Sequence, residues 1–219
     1  MSQVSQTRWI RGMKLRLPRR PLLAGALCCV LASSSYAGAQ REEPLSQNVR
    51  AALQRAVGDV AATHTAFTNK AEEAAWLGSM SRRLARTVPD EQERIELLTT
   101  VHWEASRAGL DPQLVLGLIQ VESGFHKYAT SVVGARGYMQ VMPFWTRAIG
   151  SPEHDLFQLR TNLRYGCTIL RHYIDVEKGD LYRALGRYNG SLGQPEYPNM
   201  VLSAWRRWDY QPRTRTAMR

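Results

Sequence analysis

The chain has 219 residues, of which 44% are hydrophobic and 22% are charged. This length allows one domain or at most two small ones, and the composition excludes collagen-like, coiled-coil and wholly disordered chains. The formal net charge of +10 would suit a nucleic-acid partner, but residues 1–39 carry six of the 29 bases and none of the 19 acids. The rest of the chain has a net charge of only +4, so we expect no nucleic-acid partner.

Residues 1–39 are predicted to be a cleavable signal peptide. A basic stretch leads into an apolar run over residues 21–31, and residues 37–39 read Ala-Gly-Ala directly before Gln40. This order is typical of export signals, and the apolar run is shorter than the roughly 20 residues that a membrane-spanning helix needs. We therefore expect a periplasmic protein with no stable membrane span after cleavage. An uncleaved anchor and a lipid attached at Cys28 or Cys29 are the alternatives.

The mature chain is predicted to be all-α, because apolar residues recur at helical spacing and strand-like alternation is sparse. Residues 40–90 are expected to form a helical N-terminal extension that either packs on the following domain or binds a partner. Residues 91–208 are expected to form one helical domain, and residues 209–219 a basic polar tail. Because Cys167 is the single cysteine left after signal cleavage, the fold must rest on its hydrophobic core.

Capping signals predict where two of the helices begin. Asp90 and Glu93 have the spacing of a capping box, and Asp111 followed by Pro112 has the composition of a helix start. The second of these helices is expected to end at Gly124.

Glu122 is an unusual charged residue at the end of that second helix. It follows Leu114 and Leu118 at four-residue intervals, so it lies on the apolar face, where no Lys or Arg falls within one turn. Burial without a cation and the negative end of the helix dipole are both expected to raise the pKa of its carboxyl, which suits a general acid. Periodicity alone leaves open that the side chain turns to the surface at a frayed helix end.

Three short motifs occur in order along the predicted domain. They are Glu122-Ser123, Gly137-Tyr138-Met139-Gln140 leading into Pro143, and Arg187-Tyr188-Asn189. Their order and spacing resemble lytic transglycosylases of the soluble-transglycosylase (SLT) type, family 1, which carry E-S, G-L-M-Q and A-Y-N motifs. This chain departs from that pattern at Tyr138 and Arg187, but it keeps the glutamate, the Met-Gln pair and the Tyr-Asn pair of the three motifs.

The resemblance implies a lysozyme-like fold, a peptidoglycan glycan strand as the substrate, and neither metal nor cofactor. Glu122 would protonate the bridging oxygen between N-acetylmuramic acid and N-acetylglucosamine, then deprotonate the muramyl six-hydroxyl to give a 1,6-anhydro end. Tyr188 would hydrogen-bond or orient the Glu122 carboxyl as a second catalytic residue. The residues implied to bind substrate are Ser123, Tyr138, Met139, Gln140 and Asn189.

Simpler roles stay open for several of these residues. Tyr138 and Met139 also fit a hydrophobic core, Ser123 also fits a helix end, and the Tyr-Asn-Gly sequence that ends at Gly190 also fits an ordinary helix stop. Two other functions stay open for the monomer that we expect. A hydrolytic goose-type muramidase would need a second acid, for which Glu153 and Asp155 are the candidates, and a non-catalytic wall-binding or assembly protein would need none.

Overall fold

The computed structural model describes residues 40–58, residue 67 and residues 69–211. The predicted signal peptide over residues 1–39 and most of the predicted tail, residues 212–219, lie outside this range.

The described part of the chain folds into eight α-helices and contains no strand, which confirms the all-α prediction. The helices are α1 (Gln47–Gly58), α2 (Lys70–Leu84), α3 (Glu91–Arg107), α4 (Pro112–Glu122), α5 (Phe144–Ile149), α6 (Leu159–Val176), α7 (Leu181–Asn189) and α8 (Glu196–Arg207). Two isolated antiparallel bridges join Thr130 to Arg136 and Arg136 to Val141 in the loop before α5. No helix within residues 40–58 and 69–211 has the length and apolar character needed to cross a membrane.

The predicted helix starts are confirmed at atomic level. The Asp90 carboxylate accepts a hydrogen bond from the backbone N–H of Glu93 at 2.7 Å, and the Asp111 carboxylate accepts one from Gln113 at 2.7 Å. Each bond satisfies one of the backbone donors that the first turn of a helix leaves unpaired. Gly124, just after α4, takes a φ of 56°, which an L-residue with a side chain rarely adopts.

The described helices of the N-terminal extension pack on the rest of the domain. Helix α1 packs against α5 and α6, and α2 packs against α3. The apolar faces of both helices are buried there, through Leu53 and Val57 in α1 and through Trp76, Met80 and Leu84 in α2. The extension therefore contributes to the core rather than standing apart from it.

Helix α4 is the central helix and lies closely against α8. A Cβ atom added at Gly117 would stand 2.7 Å from the backbone nitrogen of Trp205, which is closer than real side chains allow. Glycine at this position therefore lets the two backbones approach each other. This close packing brings the first turn of α8 next to the end of α4, where Glu122 lies.

A buried ion-pair cluster joins α3 to α6. Glu104 is fully buried, and its carboxylate pairs with Arg164 at 2.9 Å and with Arg107 at 2.9 Å. The Arg160 guanidinium lies 3.7 Å from the same carboxylate. A buried carboxylate is tolerated only when it is paired in this way, so the cluster fixes the register of α6 against α3.

We predict that Glu104→Gln lowers the free energy of unfolding by about 3 kcal/mol, because it leaves the buried Arg164 without its counter-charge. Denaturant unfolding followed by circular dichroism measures this change. The matched control is Glu96→Gln, which removes an exposed carboxylate from the same helix. Equal stability of the two variants would contradict the structural role of the cluster.

Candidate active site

Glu122 is the last residue of α4, and its side chain points into the protein. The residue is 4% exposed, so the inward orientation predicted from the Leu114–Leu118 stripe is confirmed and the frayed-end alternative is wrong. The backbone N–H of Ser123 continues the helical bonding by donating to Ile119 at 3.0 Å. The helix is therefore intact up to the carboxylate that it positions.

A phenol from α8 donates a hydrogen bond to this carboxylate. The Tyr197 hydroxyl lies 2.5 Å from Glu122 Oε1, and Tyr197 itself is 1% exposed. Burial, followed by the charge of Glu122, raises the pKa of Tyr197 well above its ordinary value, so the phenol stays a proton donor. Sequence reasoning missed Tyr197, since no local pattern links two residues that are 75 positions apart.

Tyr188 makes a different contact from the one expected. Its hydroxyl donates to the backbone carbonyl of Met139 at 2.7 Å, because the end of α7 faces the loop that precedes α5. The Tyr197 hydroxyl, by contrast, donates directly to the Glu122 carboxylate. The pKa of the Tyr188 phenol is nevertheless raised, first by burial and then by the charge of Glu122.

The loop that carries the second motif is held by its own polar side chains. The Ser123 hydroxyl donates to the carbonyl of Tyr138 at 2.8 Å, so this serine ties the end of α4 to the loop. The Gln140 side-chain nitrogen donates to Gly137 at 2.9 Å and to Ala129 at 3.0 Å. In this structure both side chains serve the backbone of the loop.

The second motif also places two large side chains in the core. Met139 is fully buried, and a Cβ atom added at Gly166 of α6 would stand 2.7 Å from Met139 Cβ. Tyr138 is 2% exposed, and its hydroxyl donates to the Glu93 carboxylate at 3.4 Å. For these two side chains, the structure favours the core role that the sequence left open.

Asn162 on α6 completes the support of the loop and was not identified as a site residue from the sequence. Its Oδ1 accepts from the backbone N–H of Met139 at 2.8 Å, and its Nδ2 donates to the carbonyls of Arg136 and Leu156, each at 2.8 Å. The side chain of Asn162 thus joins the second-motif loop to the turn before α6 through three hydrogen bonds. The predicted substrate-binding residue Asn189 ends α7 and is 7% exposed.

The remaining acids considered from the sequence lie in the turn before α6. Glu153 and Asp155 are both exposed, and the Asp155 carboxylate accepts from the backbone N–H of Phe157 at 2.8 Å. Within residues 40–58 and 69–211 no group of three or more His, Cys, Asp or Glu side chains is arranged to hold a metal ion.

The described helices, with the buried Glu122 at the end of α4, are consistent with the all-α, lysozyme-like class of SLT domains. Residues 100–197 match the family described as the transglycosylase SLT domain. The match begins within α3, includes all three motifs and ends at Tyr197.

Relatives of this chain carry transglycosylase names. It is 34% identical over 110 residues to a protein named transglycosylase from Enterobacteria phage PRD1, an alignment that covers 47% of this chain and 40% of the phage protein. It is 46% identical over 48 residues to membrane-bound lytic murein transglycosylase C of Actinobacillus pleuropneumoniae, covering 22% of this chain and 13% of the relative. The corresponding protein of Histophilus somni is 46% identical over 63 residues, covering 29% and 16%. The chain thus spans less than half the length of these relatives.

The buried tyrosines predict how stability depends on alkaline pH. Burial raises the pKa of Tyr165 to about 12 and raises that of four further phenols, namely Tyr138, Tyr173, Tyr188 and Tyr197. Above pH ~10 the unfolded chain loses these protons while the folded chain keeps them, so stability falls as pH rises, by about 1.4 kcal/mol per pH unit for each phenol. Denaturant unfolding at pH 8 to 11, with tyrosine absorbance recorded in parallel, measures this. A free energy of unfolding that stays constant across that range would contradict the burial of these phenols.

Proposed function

We propose that this chain is a peptidoglycan lytic transglycosylase that cleaves the β-1,4 bond between N-acetylmuramic acid and N-acetylglucosamine. The proposed product carries a 1,6-anhydro end. The observation that carries the proposal is the buried Glu122 carboxyl with the Tyr197 hydroxyl 2.5 Å from Oε1, inside an SLT domain. The names of the relatives, which include lytic murein transglycosylase, support the same substrate class.

In the proposed reaction Glu122 acts first as an acid and then as a base. Its carboxyl gives a proton to the bridging oxygen as the bond from that oxygen to the muramyl C1 breaks. The six-hydroxyl of the same sugar then attacks C1, and its proton returns to the Glu122 carboxylate. Protons balance without water, so one carboxyl suffices where ordinary glycosidases use two.

Tyr197 is proposed to hold the Glu122 carboxyl in place between these two steps. Its hydrogen bond fixes one carboxyl oxygen and offsets the cost of burying the ionised form. Tyr188 is proposed to act one step further away, by holding the Met139 carbonyl and hence the loop beside Glu122. Of the two roles expected from the sequence, hydrogen-bonding or orienting the Glu122 carboxyl, this proposal keeps the second in an indirect form.

The other motif residues are proposed to shape the surface that receives the sugars. Asn189 and Gln140 have amides that can both donate and accept, as acetamido groups require. In this structure the Gln140 nitrogen is already bonded to the loop, so its substrate contact would be through Oε1. Ser123, Tyr138 and Met139 would act by supporting the loop.

The site of action is proposed to be the periplasm, where peptidoglycan lies. The support is the export-signal pattern of residues 1–39 and the membrane-bound description of several relatives. We propose that the mature protein acts there as a monomer on glycan strands, without nucleic acid, metal or cofactor, since proton transfers alone complete the reaction.

The first test is a digest of purified sacculi by the full chain, read by mass spectrometry. We expect wild type to release muropeptides one water lighter than reducing muropeptides, and Glu122→Gln to release them at least ~100-fold more slowly, because the variant lacks the transferable proton. Glu196→Gln is the matched control, since it changes an exposed carboxyl next to Tyr197 in α8. Reducing products would indicate a muramidase, and sacculus binding without products would indicate a non-catalytic wall protein.

The second test separates the two tyrosines. Tyr197→Phe should lower kcat by ~10-fold or more and move the alkaline limb of the pH–activity profile to higher pH, because the carboxyl loses a hydrogen bond that favours its ionised form. Tyr188→Phe should lower kcat without moving that limb, because its hydroxyl bonds to the Met139 carbonyl. Tyr182→Phe, at a partly exposed phenol on α7, is the control. A shifted limb in Tyr188→Phe and not in Tyr197→Phe would reverse the assignment.

A further inference from the structure

A short segment before α1 reaches the loop that carries the second motif. We call residues 40–43 the N-terminal strap. Gln40 is 4% exposed, whereas the three residues after it are exposed. A polar amide is buried in this way only when hydrogen bonds compensate for the water that it loses.

Gln40 forms those bonds with the backbone of the loop, about 100 residues further along the chain. Its Nε2 donates to the carbonyl of Gln140 at 3.3 Å, and its Oε1 accepts from the backbone N–H of Met142 at 3.2 Å. The residue so held is in an uncommon conformation, since Gln140 has a φ of 47° although it is not glycine. Such a conformation persists only where its surroundings hold it in place.

The strap has a second anchor on α7. Glu43 pairs with the Arg187 guanidinium at 3.0 Å, and Arg187 also bonds to Glu177. Arg187 stands where the A-Y-N pattern has alanine, so this departure supplies the partner for the strap. The next residue is Tyr188, whose hydroxyl donates to the Met139 carbonyl of the same loop.

We propose that Gln40 is a positioning residue for the site: it holds the Gln140–Met142 backbone, and with it the Met139 carbonyl bonded to Tyr188, in the arrangement that serves Glu122. This inference rests on the proposed function. It gives the N-terminal extension a part in the site beyond the packing of α1 and α2. It also accounts for the polar atoms of Gln40, which packing alone would not require.

The test compares Gln40→Met and Gln40→Ala with wild type in the full chain. Methionine keeps the length of the side chain but cannot make either hydrogen bond. On soluble, uncross-linked glycan strands we expect both variants to lower kcat about tenfold with KM within about twofold, because the reacting groups are displaced while the sugar contacts remain. The exposed neighbour Glu42→Ala is the control and should match wild type.

A second measurement needs no substrate. Hydrogen exchange at the Met142 amide should be at least tenfold faster in Gln40→Met than in wild type, because Gln40 Oε1 is its acceptor. Unchanged exchange would overturn the proposal, whatever the activity. An unchanged kcat in Gln40→Met would also overturn it. A rise in kcat in Gln40→Ala would overturn it too, because it would indicate that the strap is a lid. A loss of kcat that vanishes when the assay temperature is lowered to compensate for a lower Tm would overturn it as well.

The failure of this proposal can be told from the failure of the proposed function. Anhydro products from wild type establish the function even if the Gln40 variants behave normally. If the protein releases no anhydro products, the proposed function is refuted, and the positioning role of Gln40 in catalysis is refuted with it. This holds even where slow exchange at the Met142 amide depends on Gln40.

Discussion

The burial of the Glu122 carboxyl is the constraint on which the rest of the site depends. A carboxylate that is 4% exposed must be given hydrogen-bond donors by the fold, because water cannot supply them. One such donor is Tyr197, which reaches Glu122 because α8 lies closely against α4 at Gly117. The glycine on one face of α4 and the acid at its end are therefore parts of one arrangement.

The same requirement for hydrogen-bond partners explains why polar side chains bond to the backbone of the loop between α4 and α5. This loop has almost no regular secondary structure, so its backbone groups need side chains to bond them. Asn162 from α6, Ser123 directly after α4 and Gln140 further along the loop provide many of these bonds. Ser123 and Gln140, which the resemblance implies to bind substrate, thus use side-chain hydrogen bonds to hold this loop.

Features that depend on residues close together in the sequence could be predicted, whereas contacts between distant residues could not. The caps at Asp90 and Asp111 and the inward orientation of Glu122 depend on residues within two or three helical turns, and each was predicted correctly. The partners of Glu122 and of the loop, Tyr197 and Gln40, depend on contacts across 75 and 100 positions, which no periodicity encodes. Resemblance to a family indicated Tyr188 as the partner of Glu122, yet its hydroxyl proton is used by the Met139 carbonyl.

The departures from the family pattern are best understood together with the parts of the chain outside the motifs. Tyr138 replaces leucine, and its added hydroxyl finds a partner in Glu93 at the start of α3. Arg187 replaces alanine, and its added charge finds Glu43 in the strap and Glu177 after α6. In both cases the larger side chain bonds to a segment that the motifs do not include. A substitution of this kind changes how the site is supported and leaves the acid itself untouched, so the two departures are evidence about the scaffold of this chain and not against catalysis.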